Sequence, residues 1–215
     1  GNTMEMTLAE LAAILEVHLP AGLDEECLAC GVSTDSRTVE EGSIFIALTG
    51  EKFDGADYAA QAIEKGAVVA VVQREVPELG NRQLVVPDTL AALGRIAAWW
   101  RRRMDVTVIA VTGSAGKTTT KELIAQICSQ FEPTVATVAT ENNEIGVPQT
   151  LLRLTEHDRF CVVEFGMRGR GQIRQLAEIA RPDIGVITVI GEAHIGILGS
   201  REAIAESKAE MLPLL

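Results

Sequence analysis

Apolar residues along the chain fall into short blocks whose spacing alternates between helical and strand periods. Leu8, Leu11, Ala12 and Leu15 recur on one helical stripe, which predicts a short amphipathic helix over 6–15. Residues 31–37 read as a strand running into a polar loop, Glu41-Gly42 as a turn and 43–48 as a buried strand. A helix over 57–65, closed by Gly66, precedes a buried strand at 67–72 and a short one at 83–86. Asp88 is a good N-cap for a helix running to about residue 103. Further strands are expected at 106–111, 134–138, 161–165 and 184–190, with helices near 117–130, 170–180 and 200–212.

Strands alternating with helices make an α/β chain in two parts, one over residues 1–103 and one over 104–215. In the second part the right-handed crossover rule gives a parallel sheet, with ligands expected at the C-terminal ends of its strands. Only about four of its strands are present before the apolar end Met211-Leu212-Pro213-Leu214-Leu215, so the sheet is expected to be truncated.

Composition narrows the range of partners. Of the 215 residues, 47% are hydrophobic and 4% aromatic, which suits aliphatic α/β cores and argues against disorder. The formal net charge of −11 disfavours nucleic acid and anionic membrane, so an anionic ligand needs a local device to hold it. No apolar run reaches the ~18–20 residues of a membrane span, and no secretory segment is evident. A cytoplasmic monomer without nucleic-acid partners or membrane insertion is expected. Cys27-Leu28-Ala29-Cys30 has metal-ligand spacing but no second pair to complete a zinc site, and the four cysteines read as ordinary thiols.

The local device stands at Thr112-Gly113-Ser114-Ala115-Gly116-Lys117-Thr118-Thr119. A β-branched run stops at a Gly-rich turn, and helix-forming residues follow at once. Such a helix start offers unpaired N–H groups and a positive dipole end. The glycines let the backbone wrap a phosphate, Lys117 can reach its outer oxygens and the Thr118 hydroxyl can ligate Mg²⁺. The usual phosphate-loop pattern places a Gly five residues before Gly116, where this chain has Val111.

Two further positions fall on the same side of the sheet. Glu164 ends the apolar run Phe160-Cys161-Val162-Val163, where a carboxylate can hold Mg²⁺ directly or through water. His194 stands in a loop just past a strand and becomes a functional candidate because the phosphate turn lies at the same edge. Lys208, on an exposed helix, has no role that spacing alone assigns.

The short turn ending Gly-Lys-Thr-Thr resembles that of the ATP-dependent Mur ligases and their folylpolyglutamate synthetase relatives. The likeness extends through Ser33-Thr34-Asp35-Ser36-Arg37, the segment from Phe45 to Gly55, Glu164-Phe165-Gly166, Ala193-His194, Gly199-Ser200 and Lys208-Ala209-Glu210. Glu141-Asn142-Asn143-Glu144-Ile145-Gly146-Val147-Pro148 is most similar to the branch of the family that adds D-alanyl-D-alanine. This resemblance implies a UDP-sugar-binding first domain and a truncated ATPase domain, without the rest of the central domain or the C-terminal one. The implied reaction joins D-alanyl-D-alanine to UDP-N-acetylmuramoyl-tripeptide through an acyl phosphate, using ATP and Mg²⁺, and these residues alone are expected to be inactive. By the same resemblance, residues 112–119 bind ATP, with Lys117 on its phosphates. Thr118 and Glu164 hold one Mg²⁺, and His194 with a carbamylated Lys208 supports a second. The catalytic set is then Lys117, His194 and Lys208. Ser33, Asp35, Ser36 and Arg37 would contact the uridine diphosphate, while Asn142, Asn143 and Arg174 would face the muramyl group or peptide.

Three alternatives share the phosphate turn. Another amino-acid-adding ligase of the same family would differ in its amine substrate. A noncatalytic nucleotide switch would bind without phosphoryl transfer, and a small-molecule kinase would need no amine.

Overall fold

The computed structural model describes residues 4–138, 141–166 and 171–188. It divides into two compact units, Gly1–Ile96 and Ala97–Leu215. Among the described residues, no helix is long and apolar enough to cross a membrane.

The first unit opens with strand β1 (Glu5–Thr7) and helix α1 (Leu8–Leu15). The helix expected from residue 6 therefore begins two residues later. Thr7 is the reason: its hydroxyl accepts the Glu10 N–H at 3.1 Å and its own N–H donates to Glu10 Oε1 at 2.9 Å, a reciprocal cap that fixes the first turn. Met6 is left in the strand, buried, and β1 pairs antiparallel with β2 (Leu28–Cys30), a strand too short for its three residues to announce.

Four parallel strands follow in spatial order β3 (Val32–Ser33), β4 (Ile44–Ile46), β5 (Val69–Val72) and β6 (Gln83–Val85). Strands β4 and β5 are apolar at every position, as strands covered on both faces must be. The helix expected over 57–65 is split into a 3-10 turn at Gly55–Tyr58, capped by Asp54, and α2 (Ala59–Glu64). Gly66 closes it with φ of +115°, as expected.

Helix α3 (Thr89–Arg103) starts at Asp88, whose Oδ1 accepts from the N–H groups of Leu90 and Ala91 at 3.0 and 3.1 Å. The division between units falls inside this helix, earlier than the expected boundary at 103. From Ala97 onward its buried groups belong to the second core. Ala97 lies in that core and Trp100 packs against it. Trp100 Nε1 donates to the Leu154 carbonyl at 2.9 Å, and Arg101 donates to the carbonyls of Ala180 and Arg181.

Among the described residues, the second unit holds a parallel sheet of four strands in the order β10 (Ile184–Ile187), β7 (Thr107–Thr112), β9 (Phe160–Glu164), β8 (Thr134–Ala136). Alternation along β7 serves two cores. Ile109 and Val111 face α4 (Lys117–Ser129), while Val108 and Ala110 face α5 (Gly146–Leu152) and α6 (Gln172–Ala180). No helix is expected from the sequence over 146–152. Gly146 and Pro148 mask it, yet both stand in its first turn, where Pro costs no hydrogen bond. The helix expected near 200–212 and the end of the strand expected to reach residue 190 lie outside the described residues.

Candidate functional site

β7 delivers the chain to the phosphate turn at the C-terminal edge of the sheet. Gly116 takes φ of +75° and Lys117 begins α4 immediately after it. The amides of that first helical turn have no carbonyl one turn back to accept them, so they are available to an anion. Lys117 is half-buried, and its ammonium has no hydrogen bond or ion pair among the described residues. Ser114, Ala115, Gly116, Thr118 and Thr119 complete the turn and helix start as expected from sequence.

Gly113 is needed for a reason that sequence did not reveal. Its φ is +151°, and a Cβ there would fall on the Thr188 hydroxyl. Gly113→Ala should therefore destabilise the protein by about 2–4 kcal/mol, combining overpacking with an unfavourable backbone angle. Chemical denaturation measures this, and a midpoint equal to wild type would contradict it.

Glu164 closes β9 beside the turn and is 2% exposed. Thr118 Oγ1 donates to its Oε1 at 2.8 Å, and Asn142 Nδ2 donates to its Oε2 at 2.8 Å. Its backbone N–H donates to Thr137 Oγ1 at 3.0 Å. The carboxylate is thus buried among neutral partners, with no cationic side chain bonded to it among the described residues. A buried carboxylate without a countercharge is costly, and this donor set fits a hard divalent cation. Two oxygens 2.8 Å apart also match neighbouring corners of an octahedron with Mg–O bonds of about 2.1 Å, whose edge is about 3 Å. Thr118 and Glu164 are the residues that could hold Mg²⁺. Among the described residues no three His, Cys, Asp or Glu side chains converge as a metal site. His194 and Lys208 lie outside the described residues.

The Asn142-Asn143 segment reaches the same edge. The Asn142 carbonyl accepts the Gly166 N–H at 2.7 Å while its side chain holds Glu164. Asn143 Oδ1 accepts from the N–H groups of Ile145 and Gly146 at 3.1 and 2.8 Å, an Asx turn that leads into α5. Its side-chain oxygen therefore shapes backbone. Arg174 sits on the exposed side of α6.

Sequence reasoning passed over Lys121 and Thr137. Lys121 is 3% exposed and its Nζ donates to the Thr137 carbonyl at 2.8 Å, while the Thr137 hydroxyl takes the Glu164 amide. The signal was present: Lys121 stands four residues after Lys117, on the same side of the helix.

In the first unit, Ser33, Asp35, Ser36 and Arg37 form their own cluster at the exit of β3. Ser33 Oγ donates to the Asp35 carbonyl at 2.9 Å, and the buried Ser36 has its Oγ 3.4 Å from Gln61 Oε1. Arg37 grips Asp35 with two nitrogens, Nε at 3.0 Å and Nη2 at 2.9 Å. Its fork faces a carboxylate of its own loop, and the side chain is 81% exposed. The Arg37 side-chain hydrogen bonds, with its backbone N–H, hold the Asp35 carboxyl at about 2, below its ordinary 3.8. The bonds of Asp35 favour its ionised form, so their contribution is complete above the ordinary value and is lost as pH falls from about 4 to about 2. A carboxyl titration by NMR should show this low midpoint, and Arg37→Gln should return it toward 3.8. A midpoint unchanged by that substitution would contradict the assignment. In the same unit, Arg74 bridges Asp54 at 3.0 Å and Asp57 at 2.8 Å, a pairing that sequence did not indicate.

All four cysteines are free thiols, and burial pushes Cys161 up to about 12.

Comparisons with known proteins agree on one family. Residues 30–101 match the Mur ligase family, catalytic domain, and residues 111–214 match the Mur ligase middle domain. The UDP-N-acetylmuramoyl-tripeptide–D-alanyl-D-alanine ligase of Synechocystis is 49% identical over 212 residues, which are 97% of this chain and 47% of that protein. Among solved structures, MurF from Acinetobacter baumannii superposes with a TM-score of 0.89 at 35% identity, over 100% of this chain and 48% of that one. MurF ligase from Thermotoga maritima, solved in complex with ADP, gives 0.80 at 32% identity, over 85% and 43%. The chain spans about half the length of the relatives it matches. With two Mur ligase domains matched in order along one mixed α/β chain with parallel sheets, the chain belongs to the Mur ligase family.

Proposed function

We propose that the full-length protein is the ATP-dependent ligase that joins D-alanyl-D-alanine to UDP-N-acetylmuramoyl-tripeptide, in the cytoplasm. The observation that carries this reading is the contact of Thr118 with the buried Glu164 at the phosphate turn, with Asn142 on the other carboxylate oxygen. It joins a phosphate cradle, a cation-binding pair and the Asn-Asn-Glu-Ile segment typical of this branch in one place. The 49% identity with the Synechocystis ligase supports the same assignment.

In this reading the terminal carboxylate of the tripeptide attacks the γ-phosphorus of ATP. ADP leaves, and an acyl phosphate forms. The amine of D-alanyl-D-alanine adds to the acyl carbon, and the tetrahedral intermediate expels inorganic phosphate and loses a proton to give the amide. Mg²⁺, held by Thr118 and Glu164, would offset phosphate charge. The turn from Thr112 to Thr119 binds the phosphates through its amides, and Lys117 orients the transferred group. Ser33, Asp35, Ser36 and Arg37 serve the UDP moiety, and Asn142, Asn143 and Arg174 the muramyl-peptide end. His194 and Lys208 keep the second-metal roles that family resemblance gives them. The two units are the UDP-sugar-binding and ATP-binding domains, and neither is sufficient for turnover without the remainder of the protein.

ADP release by the full-length protein, measured with UDP-N-acetylmuramoyl-tripeptide and a panel of amines, tests this. D-alanyl-D-alanine should support turnover at least about a hundredfold better than single amino acids, because a site built for a dipeptide leaves its polar groups unpaired with a shorter amine. Preference for a single amino acid would assign the protein to another branch of the family.

A further inference from the structure

Thr188 follows β10, and two of its groups reach the phosphate turn. Its N–H donates to the Thr112 carbonyl at 2.8 Å, extending the β10–β7 ladder. Its hydroxyl lies 2.8 Å from the Ala115 carbonyl and 3.2 Å from that of Thr112. A hydroxyl has one proton to give. Thr112 is already served by the Thr188 N–H, and the Ala115 contact is the shorter, so the proton goes to Ala115. Gly113 leaves the room for it, since a Cβ there would occupy the hydroxyl's position.

The consequence concerns the next amide. The described residues contain no cis peptide bond, so the carbonyl of Ala115 and the N–H of Gly116 point in opposite directions. Holding the carbonyl toward Thr188 turns the Gly116 N–H away from β10. A turn that grips phosphate does so through amide N–H groups, and an inward-turned carbonyl would repel the anion. Gly116, with φ of +75°, gives this plane more freedom than a residue carrying a Cβ would.

We propose that Thr188 is a positioning residue of the phosphate turn: its hydroxyl locks the Ala115–Gly116 peptide so that the Gly116 amide is presented to a nucleotide phosphate. The inference rests on the nucleotide-binding reading of this turn. Thr188 touches no reacting atom. It acts through the backbone of residues 112–116, and it ties that backbone to the end of β10.

The test uses full-length protein carrying Thr188→Ala or Thr188→Ser, with Mg·ADP binding followed by calorimetry and amide exchange of residues 113–117 by mass spectrometry. Thr188→Ala should bind ADP about tenfold more weakly, the scale of one net hydrogen bond. It should also exchange its turn amides faster and raise KM for ATP more than it lowers kcat. Thr188→Ser, which restores only the hydroxyl, should stay within about twofold of wild type on each readout. Wild-type ADP affinity in Thr188→Ala, or a Thr188→Ser protein as weak as Thr188→Ala, would overturn the inference while leaving the nucleotide reading intact. Absence of ADP binding by the wild-type protein would overturn both.

Discussion

Lys117→Met should leave the protein folded and lower its ATP-dependent turnover by roughly 10²–10³, the cost of losing one charged donor at a developing phosphoryl charge. Structure makes the two effects separable. Lys117 is half-buried at the first position of α4, and its ammonium bonds to no described residue. The fold therefore loses no polar contact with it, and stability should stay within about 0.5 kcal/mol. Methionine keeps the apolar stem and loses only the terminal ammonium, so packing changes little. Steady-state kinetics with a denaturation curve on the same protein checks both halves. Turnover near the wild-type rate would remove Lys117 from the catalytic set, and a protein that melts early would mean its role is structural.

Glu164→Gln is expected to have a comparable effect by a different route. The carboxylate is 2% exposed and bonded to two neutral side chains, Thr118 and Asn142. Burying a charge in such company costs stability, so a neutral isostere should fold as well as wild type or better. Thr118 can still donate to the amide oxygen, and Asn142 can rotate its amide to accept from the new NH₂. What disappears is the negative charge that a divalent cation requires. Turnover should fall at least about a hundredfold, and Mn²⁺ binding followed by electron paramagnetic resonance should weaken in step. If Glu164→Gln binds Mn²⁺ like wild type, Glu164 is a structural acid and the proposed metal site is misplaced.

The parts of this site that were legible in the sequence are those written in consecutive residues. The run from Val108 to Thr119 carries a strand, a turn and a helix start in one stretch, and the structure builds them in that order. Glu164 was legible because a lone acid ends an apolar strand. Contacts made across the sheet were not. Thr188 reaches Ala115 from 73 residues away, and nothing near either residue in sequence announces it. Lys121 was given no role in the sequence, and it is buried against Thr137 because β8 lies beside β9 in the sheet, an order that local patterning does not encode. Helix α5 was hidden by Gly146 and Pro148, residues that oppose a helix in its middle but suit its start. At the amino end, the apolar stripe was read correctly from Leu8 onward, and Thr7 set the start more sharply than the stripe could.

The central claim is that ATP activates a carboxylate for attack by an amine. It is tested most directly by running the full-length enzyme with UDP-N-acetylmuramoyl-tripeptide labelled with ¹⁸O in its terminal carboxylate, together with ATP and D-alanyl-D-alanine. The account predicts one ¹⁸O atom in each inorganic phosphate released, because the oxygen that attacks phosphorus departs with it when the amide forms. Unlabelled phosphate, or phosphate released at the same rate without D-alanyl-D-alanine, would contradict it.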